Sequence, residues 1–496
     1  MARSITKSRF AGFQSRLRVQ AANNLGIIMS DQMTQNNIFR EPELDLYDAY
    51  YENRQYDDLP TWENAQSQDG EYIPVRKRKP RIIYNLAKVL VDKVAAKLIG
   101  SSVFPKFIVE DDPEDTEFFR IVMKASHFRR HMLEPMKHML RSGSCLVRFS
   151  LINGVPIIEH YNAKFCYPTF DESGELELVD IRYVYDDVDD KDSNGKPRTK
   201  WYKLTLSKTS DILYDNPIYQ EGQGLPKFVE VERNDHNFGF VQAEWFRTGK
   251  FKFSHDGLSL YGDILDFIDE MNYSMSQTSQ ATSYNQDPQV VASGIDEDEL
   301  DTMIRSSQKM WNVGRDGEVT MLEAGMEGVK QAGEVRADFR NRMLEVVRVV
   351  LHDPEKIVGN AQAASALEIL HAPLLELIDE LRTQIEPELV NLLVKISMVM
   401  LLMNAEGFDT VLETPEGFMP QSADITLQWP AIFPLTLDDK SKRTAAAVSA
   451  AGASIISRET ATRFLATDFG IEDVEEELAK IAAQPVLNPF GSFGGM

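Results

Sequence analysis

The sequence predicts an α+β protein: an antiparallel hairpin domain, a pair of long helices around a small α/β insert, and a helical C-terminal part. Three observations predict it. Between Cys145 and Arg247 short β-branched and aromatic runs alternate with Asn-Gly and Ser-Gly turn signals. Between Leu258 and His352 two amphipathic patterns bracket an acidic insert, and from Lys440 onward two further helical stretches follow. At 496 residues and 43% hydrophobic content the chain is long enough for about three cores.

Residues 1–40 are expected to form a flexible basic arm. Arg3, Lys7, Arg9, Arg16 and Arg18 fall in its first eighteen residues without an acid, and no apolar core with a cleavage site follows, so no secretory signal is read. Leu44 to Tyr56 predicts a short helix carrying Tyr47, Tyr50 and Tyr51. The cations Arg76, Lys77, Arg78, Lys79 and Arg81 precede a helix with Leu86, Val89, Leu90, Val94 and Leu98, ended by Gly100. Such a run can meet phosphate or an acidic partner; in an acidic protein a solvated, charge-compensating edge is preferred.

The hairpin texture then begins. Asn153-Gly154 separates Leu146–Ile152 from Val155–Tyr161, Ser173-Gly174 precedes Leu176–Tyr185, and Asn194-Gly195 precedes Trp201–Leu206. Phe228–Glu232 and Gly239–Phe246 supply two more strands. From Leu258 the apolar positions Leu260, Ile264, Ile268, Met271 and Met275 recur at helical spacing, and Pro288 should end that helix near Asn285. The insert predicts a strand at Gln289–Ala292, a helix with Leu300, Ile304 and Met310 opened by Asp296 and Glu299, and a second strand at Val319–Leu322.

A second long helix, with Val335, Phe339, Met343, Val346 and Val350 on one face, is expected from Val329 to His352, where Pro354 stops it. Its ~24 residues would measure about 36 Å. The small, flexible segment 354–364 leads to a capping box, Ser365 with Glu368. That box opens a third helix with Leu367, Leu370, Leu374, Leu377, Leu381, Ile385, Leu389 and Leu392 inward, kinked by Pro373 and Pro387. Ile425–Trp429 is a returning strand, Lys440–Ala453 and Arg458–Thr467 are helices, and Asp473 with Glu476 caps a last one to Ile481.

Composition narrows the function. A net charge of −24 repels phosphates, which argues against general nucleic-acid affinity while leaving room for a passage along which DNA slides without sticking. Cys145 and Cys166 set no disulfide framework, so a reducing compartment is assumed. The apolar run Leu389–Met403 is interrupted by Lys395 and falls short of the ~20 residues a bilayer needs, so no membrane partner is expected.

No G-x-x-x-x-G-K-[ST] loop or G-x-S-x-G elbow occurs, and no cofactor is called for. Two metal candidates arise. His127, His131, Glu134 and His138 share one face if a single helix carries them, which would suit zinc and a metal-dependent hydrolase, although Pro135 disturbs that helix and a polar contact face explains the same spacing. Asp190, Asp192, Asn194 and Gly195 imitate the start of a calcium loop, but Trp201 stands where a bidentate Glu is required, so a hairpin turn is preferred.

The segments RIIYNLAKVLVDKVAAKLIG (81–100), GDILDFIDEMNYSMSQTSQ (262–280), SALEILHAPLLELIDEL (365–381) and ITLQWPAIFPLTLDDKSKRTAAAVSAAGASIISRETATRFL (425–465) occur in the order found in portal proteins of tailed bacteriophages. The chain resembles that family over most of its length. The resemblance implies a structural, non-enzymatic ring, usually of twelve copies, at one capsid vertex, assembled in the host cytoplasm. Double-stranded DNA would pass through it without sequence-specific contact. It further implies a wing (41–257), a first stem helix (258–285), a clip (286–328), a second stem helix (329–353), a tunnel loop (354–364), a long kinked helix with a returning wing strand (365–435) and a C-terminal helical region or small crown (436–496). Lys356, Asn360 and Gln362 would be the tunnel-loop groups touching phosphates. Asp296, Glu297, Asp298, Glu299 and Asp301 would form the clip surface for the terminase large subunit and, later, head-completion and tail adaptors. The major capsid protein and scaffold are further implied partners. Another head–tail connector component is an alternative, although adaptors are usually far shorter.

Overall fold

Turn chemistry sets the β region. The computed structural model describes residues 32–109, 113–152, 154–220, 225–236, 238–249, 255–286, 289–293, 318–322, 326–351, 368, 370–405, 425–432, 437–469, 471 and 474–483. Gly154 and Gly195 adopt φ of 76° and 77°, the left-handed values that tight hairpin turns demand and glycine supplies cheaply. Strand β2 (Ser144–Ile152) thereby pairs with β3 (Val155–Asn162) with Ile152 opposite Val155, and β5 (Leu176–Lys191) pairs with β6 (Pro197–Ser207).

All described pairings are antiparallel. A three-stranded sheet runs β3-β2-β9, with β9 at Ala243–Arg247. A five-stranded sheet runs β4-β5-β6-β7-β8, with β4 (Cys166–Phe170), β7 (Ser210–Tyr214) and β8 (Glu230–Asp235) added to the hairpin. Trp245, Leu146, Val179, Ile181 and Leu206 form one buried core with Leu44 of the N-terminal helix. Cys145 and Cys166 are free and buried, and burial pushes both thiols up.

The helices follow their apolar stripes with instructive departures. Helix α1 spans Gln32–Tyr51, so residues 32–40 are helical instead of arm, and the short helix expected at Leu44–Tyr56 is the end of a longer one. Helix α2 (Leu86–Ile99) is capped by Asn85, whose side chain accepts from the Lys88 amide, and ends at Gly100 as expected. Strand β1 (Lys106–Val109) pairs with β12 (Ile425–Gln428), the returning strand. Helices α3 (Pro113–Ala125), α4 (Phe128–His131) and α5 (Leu133–Ser142) complete the first half.

The long helices are α6 (Leu265–Gln286) and α7 (Met326–Val346), joined through β10 (Gln289–Ser293) and β11 (Glu318–Leu322), which pair with Gln289 opposite Leu322. Helix α6 begins later than Leu258 because the preceding backbone is taken: Leu258 N donates to Thr248 O (3.0 Å) and Leu260 N to Leu140 O (2.8 Å). Helix α7 ends before His352 and Pro354 is not its stop. Val349 N reaches Leu344 O and Arg348 N reaches Glu345 O with Arg348 at φ 54°, a Schellman closure.

Helix α8 (Ala372–Ala405) is a single helix through Pro387 and buries Leu374, Ile385, Leu389 and Leu392, whereas Leu370 is 43% exposed instead of inward. Helices α9 (Leu437–Gly452), α10 (Arg458–Phe469) and α11 (Val474–Ala483) close the chain. The molecule divides into two units, Met1–Val349 with Leu377–Pro430, and Val350–Glu376 with Ala431–Met496.

Candidate functional site

The feature that organises the first unit is the α6–α7 pair. At ~1.5 Å per residue its 22- and 21-residue helices are about 33 and 32 Å long. Phe267 meets Phe339 edge-on at 6.3 Å, and Arg336 Nη1 donates to Thr278 Oγ1 at 3.4 Å. Helix α6 is rich in Ser and Thr, which favour helices poorly because their hydroxyls compete for backbone groups. Here Ser276, Thr278, Thr282 and Ser283 each donate to the carbonyl four residues back, so those hydroxyls are satisfied within the helix. On α7 the expected apolar face is only partly covered: Met343 is buried, while Val335 and Val346 are 52% and 53% exposed.

The root of α6 is held by a polar clamp from the first hundred residues. Asp269 accepts from the Tyr50 hydroxyl (2.7 Å) and the Tyr56 hydroxyl (2.5 Å). The fully buried Asn272 accepts from the Tyr84 amide (2.9 Å) and donates to Tyr56 (3.1 Å), and buried Ser276 accepts from the Ile82 amide (3.0 Å). Tyr273 donates to the Arg76 and Arg78 carbonyls, and Trp62 donates to Gln280. Burial, reinforced by the Asp269 charge, pushes the Tyr56 phenol far above its ordinary range, so it remains a donor.

Sequence reasoning missed Asp269, Asn272 and Ser276, although their spacing of three and four residues beside the apolar stripe was a readable signal. It also undervalued Arg78. That residue is buried, donating to the Ile73 and Trp62 carbonyls and to Tyr72 while stacking on the Tyr72 ring, and is no solvated edge; Arg76 pairs with Glu270 and Lys79 with Asp57.

Two further contacts position this root. Gly143 (φ 85°) and Gly257 lie backbone to backbone: a Cβ on Gly143 would sit 2.3 Å from the Gly257 oxygen. Arg40 of α1 forms a buried ion pair with Asp256, donating also to the Cys166 and Ala163 carbonyls at 2.7 Å each. Burial disfavours the Arg40 charge, yet Asp256 outweighs it and holds the guanidinium above its usual range.

The sequence-derived residues fare unevenly. Lys356, Asn360 and Gln362, and Asp296, Glu297, Asp298, Glu299 and Asp301, lie outside the described residues, as does the insert helix. His127, His131, Glu134 and His138 do not share one helix. His127 has left-handed φ 49° ahead of α4, and Met132 separates α4 from α5. Glu134 pairs with Lys137 and the His138 ring lies tilted 5.0 Å from that of His160, so the hydrolase reading loses its geometry. Asp192 caps the hairpin turn by accepting from the Asn194 and Lys196 amides, and Asp190 pairs with Lys200 at 2.7 Å. Among the described residues no group of three or more His, Cys, Asp or Glu could hold a metal ion.

Burial first, then Arg141 and His160, pushes His138 down to about 3, so it stays neutral in the fold. A depressed folded value supplies stability above the unfolded value near 6.5 that is lost as pH falls toward 3. Between pH 7 and 4.5 the loss from His138 is expected to reach about 2–3 kcal/mol. Urea midpoints of wild type and His138→Gln measured across that range check it: the variant's profile should be flatter, and parallel profiles would refute the assignment.

No described helix is long and apolar enough to cross a membrane. No curated protein matches the chain. A family model described as phage portal protein, SPP1 Gp6-like, matches residues 31–485. With a match over nearly the whole sequence and an antiparallel α+β fold carrying two long paired helices, the chain belongs to the SPP1 Gp6-like phage portal proteins, structural and non-enzymatic components of the virion.

Proposed function

We propose that copies of this chain form a ring, of twelve in the usual arrangement, at the capsid portal vertex, and that double-stranded DNA is packaged and later ejected through its channel. The observation that carries this is the unbroken α6–α7 pair, joined through a strand pair at one end and clamped at the other. Paired rods with a half-exposed apolar face on α7 suit staves whose outer residues, Val335 and Val346, are covered by a neighbouring copy. A net charge of −24 on each copy keeps a passing duplex from adhering.

In this reading residues 41–257 are the wing, α6 and α7 the stem, the insert between them the clip, and 354–364 the tunnel loop. Lys356, Asn360 and Gln362 touch phosphates weakly as DNA moves. Asp296, Glu297, Asp298, Glu299 and Asp301 receive the terminase large subunit and then the head-completion and tail adaptors. Major capsid protein and scaffold surround the ring, which assembles in the host cytoplasm.

Electron micrographs of purified protein should show rings with a central hole; protein that stays monomeric under every assembly condition would defeat the proposal. Deleting 359–363 should leave rings intact while reducing packaged DNA at least tenfold, and unchanged packaging would remove the loop's role. Neutralising the five clip acids should weaken motor capture in a pull-down, and unaltered capture would reassign the docking surface.

A further inference from the structure

A cleft of about 520 Å³ opens where the end of α2 meets α3, α4 and α5. Ile99, Met123 and Leu133 give it an apolar lining, and Lys124, Arg129 and Arg130 surround it with positive charge. The three cations are exposed. Among the described residues none of them has a carboxylate within ion-pair distance: Glu117 on α3 is engaged by Arg120, and Glu134 on α5 by Lys137 at 2.8 Å. His127, also lining the cleft, sits in the left-handed region at the α3–α4 turn, a conformation that costs a non-glycine residue free energy and is held by the surrounding structure.

In a chain with 77 acids against 53 bases, three clustered cations with no carboxylate at ion-pair distance among the described residues make the local field positive. Charge alone would fit phosphate or carboxylate. The apolar lining decides between them, because a phosphodiester backbone brings nothing to cover the partly exposed Met123 and Leu133, whereas a peptide can present acids and an apolar side chain together.

We propose that this cleft docks an acidic peptide segment of a partner protein, which seats an apolar side chain on Met123 and Leu133 while its carboxylates meet Lys124, Arg129 and Arg130. The inference stands apart from the channel: it concerns a surface of the first unit and does not depend on DNA passage.

The test uses the full-length chain and a fluorescent hexapeptide of four glutamates around a Leu-Phe pair, followed by anisotropy. Saturable binding with a Kd on the order of 10 μM is expected. Reversing both arginines, Arg129→Glu with Arg130→Glu, should weaken it at least tenfold; should that protein fail to fold, Lys124→Gln should still weaken it about threefold, while Lys88→Glu, an exposed site on α2, changes nothing. Met123→Ala should weaken the Leu-Phe peptide and not a hexaglutamate control. Wild-type affinity in the folded arginine variant, or equal affinity for hexaglutamate, overturns the proposal. Displacement by equimolar 20-base-pair duplex would hand the cleft to nucleic acid and overturn it as well. Ring formation in micrographs reports on the channel reading separately.

Discussion

Alanine at Gly143 is expected to lower stability by about 2–5 kcal/mol, combining left-handed backbone in a non-glycine residue (roughly 1–2 kcal/mol) with overpacking (about 1–3 kcal/mol). The physical reason is that the new Cβ would lie 2.3 Å from the Gly257 oxygen and 2.5 Å from its carbonyl carbon, so one backbone must move. Little slack exists for that movement. The Gly143 carbonyl accepts from Thr248 N (2.9 Å) and Thr248 Oγ1 (3.2 Å), and Gly257 N donates to Ser144 Oγ (3.0 Å). Urea midpoints of three variants separate the contributions. Gly174→Ala shares a positive φ (87°) but meets nothing within 4 Å, so it should cost only about 1–2 kcal/mol; Gly257→Ala tests the crowding alone. A Gly143→Ala midpoint no lower than that of Gly174→Ala would show that the junction is soft.

The second large effect is expected at Arg40. Replacing it with Met leaves Asp256, itself only 8% exposed, without its cation, and breaking such a pair costs about 3–5 kcal/mol. The carbonyls of Cys166 and Ala163 lose their donors at the same time. Removing both charges, Arg40→Met with Asp256→Leu, should recover part of the loss, since the buried carboxylate that has lost Arg40 is then gone. A double-mutant cycle on denaturation midpoints measures it; a double variant as unstable as the sum of the singles would mean that the two residues act independently.

Local signals made some elements legible. The Asn-Gly and Ser-Gly dipeptides located the hairpins, and the β2–β3 register follows from the two-residue gap at 153–154. The stripe Ile264, Ile268 and Met271 located α6, and all three are buried. Elements settled by distant partners were harder. Residues up to 40 read as a basic arm, yet helix α1 runs back through Pro42 and Arg40 is secured by Asp256, 216 residues away. Strands β4 and β7 are five residues each, and β4 contains Pro168, so neither carries a strong strand signal. The end of α7 escaped because Arg348, not a glycine, takes the left-handed position, assisted by its 2.7 Å ion pair with Glu380. For the same reason the break at His127 was invisible in the spacing of the histidines.

The clamp holds α6 at Asp269, Asn272, Tyr273, Ser276 and Gln280, whereas Thr282 and Ser283 farther along bond carbonyls of their own helix, so the paired rods α6 and α7 project from it as a cantilever. Force applied near β10 and β11 acts with a lever arm of tens of ångströms on the tyrosine–carboxylate bonds at the fulcrum. A small rotation there therefore becomes a much larger sweep at the tip, and the stiffness of Tyr50, Tyr56 and Asp269 governs how far that tip can swing.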